Sequence, residues 1–147
     1  MTAEPVLIKG ALASDDRGHV GFVNDFTFTN VKRFYTTENH KRGFIRAWHG
    51  HKLEAKYITA VKGTVLICCV KIDAWEAPSK KLPIQKFVLT EQQPAILAIP
   101  AGYANGTMSL TKDAKLVIFS TTTLEESKHD DYRYHARYWD PWTVEER

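Results

Sequence analysis

The sequence is short of cysteine, of net charge, of long apolar runs and of helix-like segments, and each shortage excludes something. Its two cysteines, Cys68 and Cys69, are neighbours in TVLICCV. A disulfide between adjacent residues is strained. Both therefore read as reduced core residues of a cytoplasmic protein. No segment approaches the roughly 18–20 apolar residues of a membrane span. The opening MTAEPVLIKG lacks the basic and then apolar layout of a signal peptide. Net charge is only +3, from 20 Lys and Arg against 17 Asp and Glu, and the signs alternate along the chain. Nucleic-acid binders gather basic residues into a patch, so the partner to look for is a small anion, which needs only two or three placed cations. No linker, repeat or low-complexity segment interrupts the 147 residues, and 44% are apolar. One domain over 1–147 is expected, with residues 128–147 as a C-terminal arm.

What is present is strand. HVGFVNDFTF, KRFYTTEN, GFIRAWHGH, AKYITAVKGTVLICCVKID, IQKFVLT, PAILAIP, YANGTMSL and AKLVIFSTT are rich in β-branched and aromatic residues. Turn residues separate them in DDRG, NHKRG, VKG, EAPSKKLP, TEQQP, IPAG and SLTKDA. Spacings of about 8–12 residues imply an all-β sandwich or barrel. LEESKHDDYR is the one helix candidate. ITAVKGTVLICCV and AILAIP are too continuously apolar for a sheet wetted on one face, so burial on both faces is expected. The late aromatics Tyr132, Tyr134, Tyr138, Trp139 and Trp142 suit an arm packed on the barrel or on a second subunit.

The chemistry concentrates in IRAWHGHKLEAKY. Residues two apart on a strand share a face, so His49 and His51 are expected on one side with Ala47, and Arg46, Trp48 and Gly50 on the other, unless a bulge intervenes. Paired imidazoles serve metal binding or proton transfer. Metal-binding cupins place a Glu after HxH and a second His after a PxG turn. Here Pro100-Ala101-Gly102 makes the turn, but Asn105 stands where that His would be. An amide oxygen is a weak ligand for such metals, and Arg46, Lys52 and Lys56 would repel a cation. No metal is expected.

DDRG, FIRAWHGHKLEAKYITAVKGTVLICCVKID and ILAIPAGYANGTMSL together resemble the metal-free sugar-nucleotide cupins, above all the dTDP-4-dehydrorhamnose 3,5-epimerase family. HGHK, KRFYTT and ESKHDDYR are similar to the dTDP-sugar 3,4-ketoisomerases. The resemblance spans residues 14–133. It implies an all-β cupin, a jelly-roll-like double-sheet barrel, forming a homodimer whose N-terminal strands extend the partner's sheet. It implies isomerisation of a nucleotide-diphospho 4-keto-6-deoxyhexose, in deoxysugar or O-antigen-type polysaccharide synthesis, with no cofactor. His49 matches the family's base, which removes an acidified C–H beside the ketone. Lys56 matches the cation beside the developing enolate oxygen. Arg17 and Arg46 match arginines that hold the pyrophosphate. Asn105 is expected to contact the sugar or orient His49, Tyr103 to contact substrate, and His51 to assist.

The chain departs from the epimerase pattern. The family's acid is a Tyr in the strand after the IPxG turn, and Phe119 is aligned there. The family's base leans on an Asp in a C-terminal extension that this chain lacks. Three readings follow: epimerisation at C3 alone; 3,4-ketoisomerisation, with His49, His51 and Tyr35 as the acid–base group; and a non-catalytic binder of the same ligand. Two stretches, VKGTVLICCVKID and IPAGYANG, favour the epimerase. The nucleotide, dTDP, CDP or GDP, is left open because all three share the pyrophosphate.

Overall fold

A computed structural model describes residues 1–147. The chain is all-β with the cupin layout. Strands β1 (Val6–Lys9), β9 (Ala95–Ile99), β6 (Lys56–Lys62), β11 (Ala114–Ser120) and β4 (Arg33–Asn39) form the first five-stranded antiparallel sheet, in that order. Strands β12 (Tyr132–Arg133), β5 (Ile45–His51), β10 (Tyr103–Ser109), β7 (Thr64–Lys71) and β8 (Gln85–Thr90) form the second. The hairpin β2 (Ala11–Asp15) and β3 (Gly18–Phe22) pairs only with itself. Helix α1 is Leu124–Lys128. No helix is long and apolar enough to cross a membrane.

The principal core lies between the sheets. It includes Ile58, Leu97, Leu116 and Ile118 from the first and Val65, Ile67 and Leu89 from the second. The outer face of the second sheet carries another cluster, Trp48, Leu66, Cys68, Val70, Ala104 and Met108, roofed by Trp139 and Trp142. Alternation along β7 sends Cys69 into the first cluster and Cys68 into the second. Both thiols are free and buried, and burial pushes Cys68 up to about 12 and Cys69 further still. Both are inert hydrophobes. The second sheet is thus covered on both sides, which is why TVLICCV does not alternate with polar residues.

The arm after β12 is fixed by indole donors. Trp48 Nε1 donates to the Trp139 carbonyl at 3.0 Å, and Trp139 Nε1 donates to the Ser79 carbonyl at 3.0 Å.

Two expectations shift and one turn stands. HVGFVNDFTF is strand only to Phe22. Val23, Phe26 and Val31 instead cross the outer face of the first sheet and cover Tyr57, Ile96 and Ala98. The turn expected at VKG does divide the run from Ala55 to Asp73, at Gly63, whose φ of +69° joins β6 to β7. The helix spans five residues of the ten in LEESKHDDYR. Thr123 caps it in a capping box with Glu126. Just beyond its C-cap His129, the Asp130 carboxylate accepts from the amides of Lys52, Leu53 and Glu54, at 2.8, 2.8 and 2.9 Å.

Candidate active site

Between the two sheets lies a cavity of about 240 Å³. Its walls come from β4, β5, β6, β10 and β11, with Ser127, Asp131 and Arg133 at one side. Ile58, Leu116 and Ile118 make an apolar floor, and nearly everything else that faces it is polar.

The strand carrying the histidines is bulged. Asn105 pairs with His49 and Thr107 with Arg46, so three steps on β5 match two on β10. The extra residue resets the alternation. Arg46 therefore faces the cavity beside His49 and His51, while Ala47 packs with Trp48 in the outer cluster. This corrects the simple alternation, which placed Ala47 with the histidines and Arg46 opposite them. Gly106 makes the bulge possible: a Cβ there would lie 2.6 Å from Ala47 Cβ and 2.9 Å from the Trp142 ring. Arg46 is held at the mouth by a 2.5 Å bond from its Nε to Asn39 Oδ1.

Lys56 and His51 meet at a buried carboxylate. Glu54 is 3% exposed, His51 5% and Lys56 7%. Glu54 Oε1 accepts from Ser120 Oγ at 2.5 Å, Thr122 Oγ1 at 2.8 Å and Arg33 Nη2 at 3.3 Å. Its Oε2 lies 3.1 Å from His51 Nε2 and 3.6 Å from Lys56 Nζ. His51 Nδ1 sits 2.6 Å from the Asp130 carbonyl. Burial raises the Glu54 carboxyl, but the Lys56 charge and the Ser120 bond outweigh it, leaving it below the usual range. Burial, then Lys56, lowers the His51 imidazole; Glu54 and the Asp130 carbonyl act against them. Lys56 Nζ thus sets a fixed ammonium beside the same carboxylate oxygen that His51 faces.

His49 faces different neighbours. Burial, Lys56 and Arg133 depress its imidazole to about 4, with Asp131 pulling the other way. It is therefore a neutral base at neutral pH. Asn105 Nδ2 donates to the His49 carbonyl at 3.4 Å, which ties the base's backbone to β10. Across the cavity, Tyr35 projects from β4 of the opposite sheet, with the Arg33 guanidinium 4.9 Å above its ring.

Of the residues singled out in the sequence, His49, His51, Lys56, Tyr35, Arg46 and Asn105 come together at the cavity. Arg17 does not. It sits at the turn of the β2–β3 hairpin, paired with Asp15 at 2.5 Å and largely exposed. Tyr103 does not either: its ring lies in the core and its hydroxyl donates to the Ala3 carbonyl at 3.4 Å. Phe119 is corrected by one position. On β11 the inward residue is Ile118, and Phe119 packs outward against Phe28 and Phe34. Asp131, just before β12, also lines the cavity. Sequence reasoning took Glu54 only as a spent metal ligand and passed over Asp130, Asp131 and Arg133. The signal was HDDYR, where two acids and an arginine follow a helix-like stretch.

The family model described as dTDP-4-dehydrorhamnose 3,5-epimerase matches residues 3–140. No curated protein sequence matches the chain. Among solved structures, the rmlC epimerase of Mycobacterium tuberculosis superposes with a TM-score of 0.77 at 18% identity, over 95% of this chain and 72% of that one. The dTDP-4-dehydrorhamnose 3,5-epimerase of Bacillus anthracis, with TDP and PPi bound, gives 0.76 at 18% identity, over 97% and 86%. The sugar 3,4-ketoisomerase QdtA of Thermoanaerobacterium thermosaccharolyticum, in complex with TDP, gives 0.68 at 21%, over 94% and 93%. At these identities the superpositions speak for the fold.

Proposed function

The chain belongs to the dTDP-4-dehydrorhamnose 3,5-epimerase family, a family of isomerases, and from that we propose that it epimerises C3 of a nucleotide-diphospho 4-keto-6-deoxyhexose. The observation that carries this reading is the placement of His49 and Tyr35 on opposite sheets of one cavity, with Lys56 beside them. His49 takes the C3 proton, and the C–H electrons move onto the C4 oxygen. The Lys56 ammonium stabilises that oxyanion as it forms. Tyr35 returns a proton to the other face of C3. The ketone reforms with C3 inverted, and water restores both side chains. A cavity of about 240 Å³ suits the sugar ring, being below the roughly 300–1,000 Å³ of pockets for larger ligands. The pyrophosphate then lies at the mouth with Arg46 and Arg133.

A 3,4-ketoisomerase is the second reading, and Ile118 favours it. With no phenol on β11, the C3 hydroxyl proton can pass to the C4 oxygen of the enediolate, and His49 returns its proton to C4 on the face from which it left as the carbonyl forms at C3.

We extend the proposal to a cytoplasmic homodimer. Phe34, Val61 and Phe28, on or packed against the outer face of the first sheet, are 67, 51 and 47% exposed. The β2–β3 hairpin stands beside them with Arg17 at its turn. A second copy on this face covers the phenylalanines and carries Arg17 toward the partner's cavity. Light scattering on the purified protein should give twice the chain mass; a monomer would refute this part.

The reaction is tested with dTDP-, CDP- and GDP-4-keto-6-deoxyhexoses in D₂O, followed by NMR. Loss of H3 with a new C3 configuration is the expected result. A carbonyl signal moved from C4 to C3 would replace it with the ketoisomerase. No exchange with any of them would overturn catalysis and leave a binding protein.

A further inference from the structure

Two buried atoms in the cavity wall lack a hydrogen-bond partner, His51 Nε2 and Glu54 Oε2, and they face each other at 3.1 Å. His51 Nδ1 lies 2.6 Å from the Asp130 carbonyl, which can only accept, so Nδ1 carries a hydrogen. If Nε2 were bare, its lone pair would press on a carboxylate oxygen. Facing buried acceptors left unsatisfied are costly. One proton between the two atoms satisfies both.

We propose that Glu54 sets the two histidines to different charge states: it shares a proton with His51, and His49 is left as the imidazole free to accept one from substrate. His51 then has both ring nitrogens bound to protein, Nδ1 to Asp130 and Nε2 to Glu54. It is a positioning residue and not the acid. The proton resides on the imidazole, because Ser120, Thr122 and Arg33 all donate to the other oxygen of Glu54 and hold it as an anion.

Around His51 stand Glu54, Asp130, Lys56 and His49. Lys56 and burial oppose its charge and make the proton easier to release, but they leave the facing acceptors in place. His49, on the same strand face, has no carboxylate in hydrogen-bond contact, and Lys56 and Arg133 oppose its protonation. The difference between them is therefore Glu54. As an imidazolium, His51 adds to the positive field of Lys56 in which an enolate forms. The proposal deepens the proposed reaction and rests on it only for the role given to His49.

The test is proton-detected NMR of the full chain labelled with ¹⁵N-histidine, titrated from pH 4 to 9, with His49→Asn and His51→Asn assigning the signals. His51 should lose its second proton at least about one pH unit above His49, the size expected for a carboxylate in contact. Glu54→Gln, which keeps the shape, should lower the His51 transition by about as much and leave that of His49 in place. If His51 titrates with or below His49, or if Glu54→Gln moves neither, the proposal is overturned. The wild-type order decides the matter alone if the variant does not fold. Activity on a 4-keto sugar is read separately, so failure of the reaction and failure of the proton assignment are distinct results.

Discussion

Tyr35 on β4 and Ile118 on β11 are register partners, and both side chains face the cavity. The phenol that the epimerase pattern places on β11 is absent there, and the neighbouring strand supplies one. Tyr35→Phe should therefore lower kcat by about 10²–10⁴ with little change in KM, the range for loss of a general acid. Phe119→Leu, on the outer face, should leave kcat within about threefold, since surface substitutions away from a site are mild. Steady-state kinetics on the epimerised substrate measure both.

Lys56 should matter to chemistry more than to binding. Its ammonium is buried against Glu54 and lines the cavity. Lys56→Gln removes the charge and keeps much of the stem. A loss of about 10²–10³ in kcat is expected, as when one oxyanion partner is removed. Affinity for dTDP, read by calorimetry, should hardly change.

Acid should destabilise the fold through His49. Its imidazole is lowered from 6.5 to about 4, so the unfolded chain binds a proton that the folded chain refuses. Stability from this group is complete above about 6.5 and is lost as pH falls toward 4. Urea midpoints between pH 4 and 8 should fall with acid, and His49→Asn should flatten the slope in that window.

The arm should be integral to the fold. Trp139 is 2% exposed, stacks edge-on against Trp48 at 5.3 Å and donates to Ser79. Trp139→Ala should cost about 3–5 kcal/mol, seen as a lower urea midpoint at similar slope.

The strands from β4 to β11 were legible because their runs of β-branched and aromatic residues are bounded by turn residues. The reading of β7 as buried on both faces also stood, since Cys68 and Cys69 enter different clusters. What was not legible depends on partners distant in sequence. The bulge at Ala47–Trp48 is decided by β10, where Gly106 has no Cβ to collide with it. That bulge moves Arg46 into the cavity. On β11 one residue reverses the face, so Phe119, aligned with the family's phenol, points outward while Ile118 lines the cavity. The Asp130 contact with Glu54 joins residues 76 apart, and no local pattern marks it.

The central claim is that His49 removes the C3 proton. The most direct measurement is H3 exchange into D₂O on dTDP-4-keto-6-deoxyglucose, comparing wild type with His49→Asn by ¹H NMR. The account predicts rapid H3 loss with wild type and a rate lower by about 10²–10⁴ with the variant, while dTDP still binds. Exchange at the wild-type rate in His49→Asn would contradict it and move the base elsewhere in the cavity.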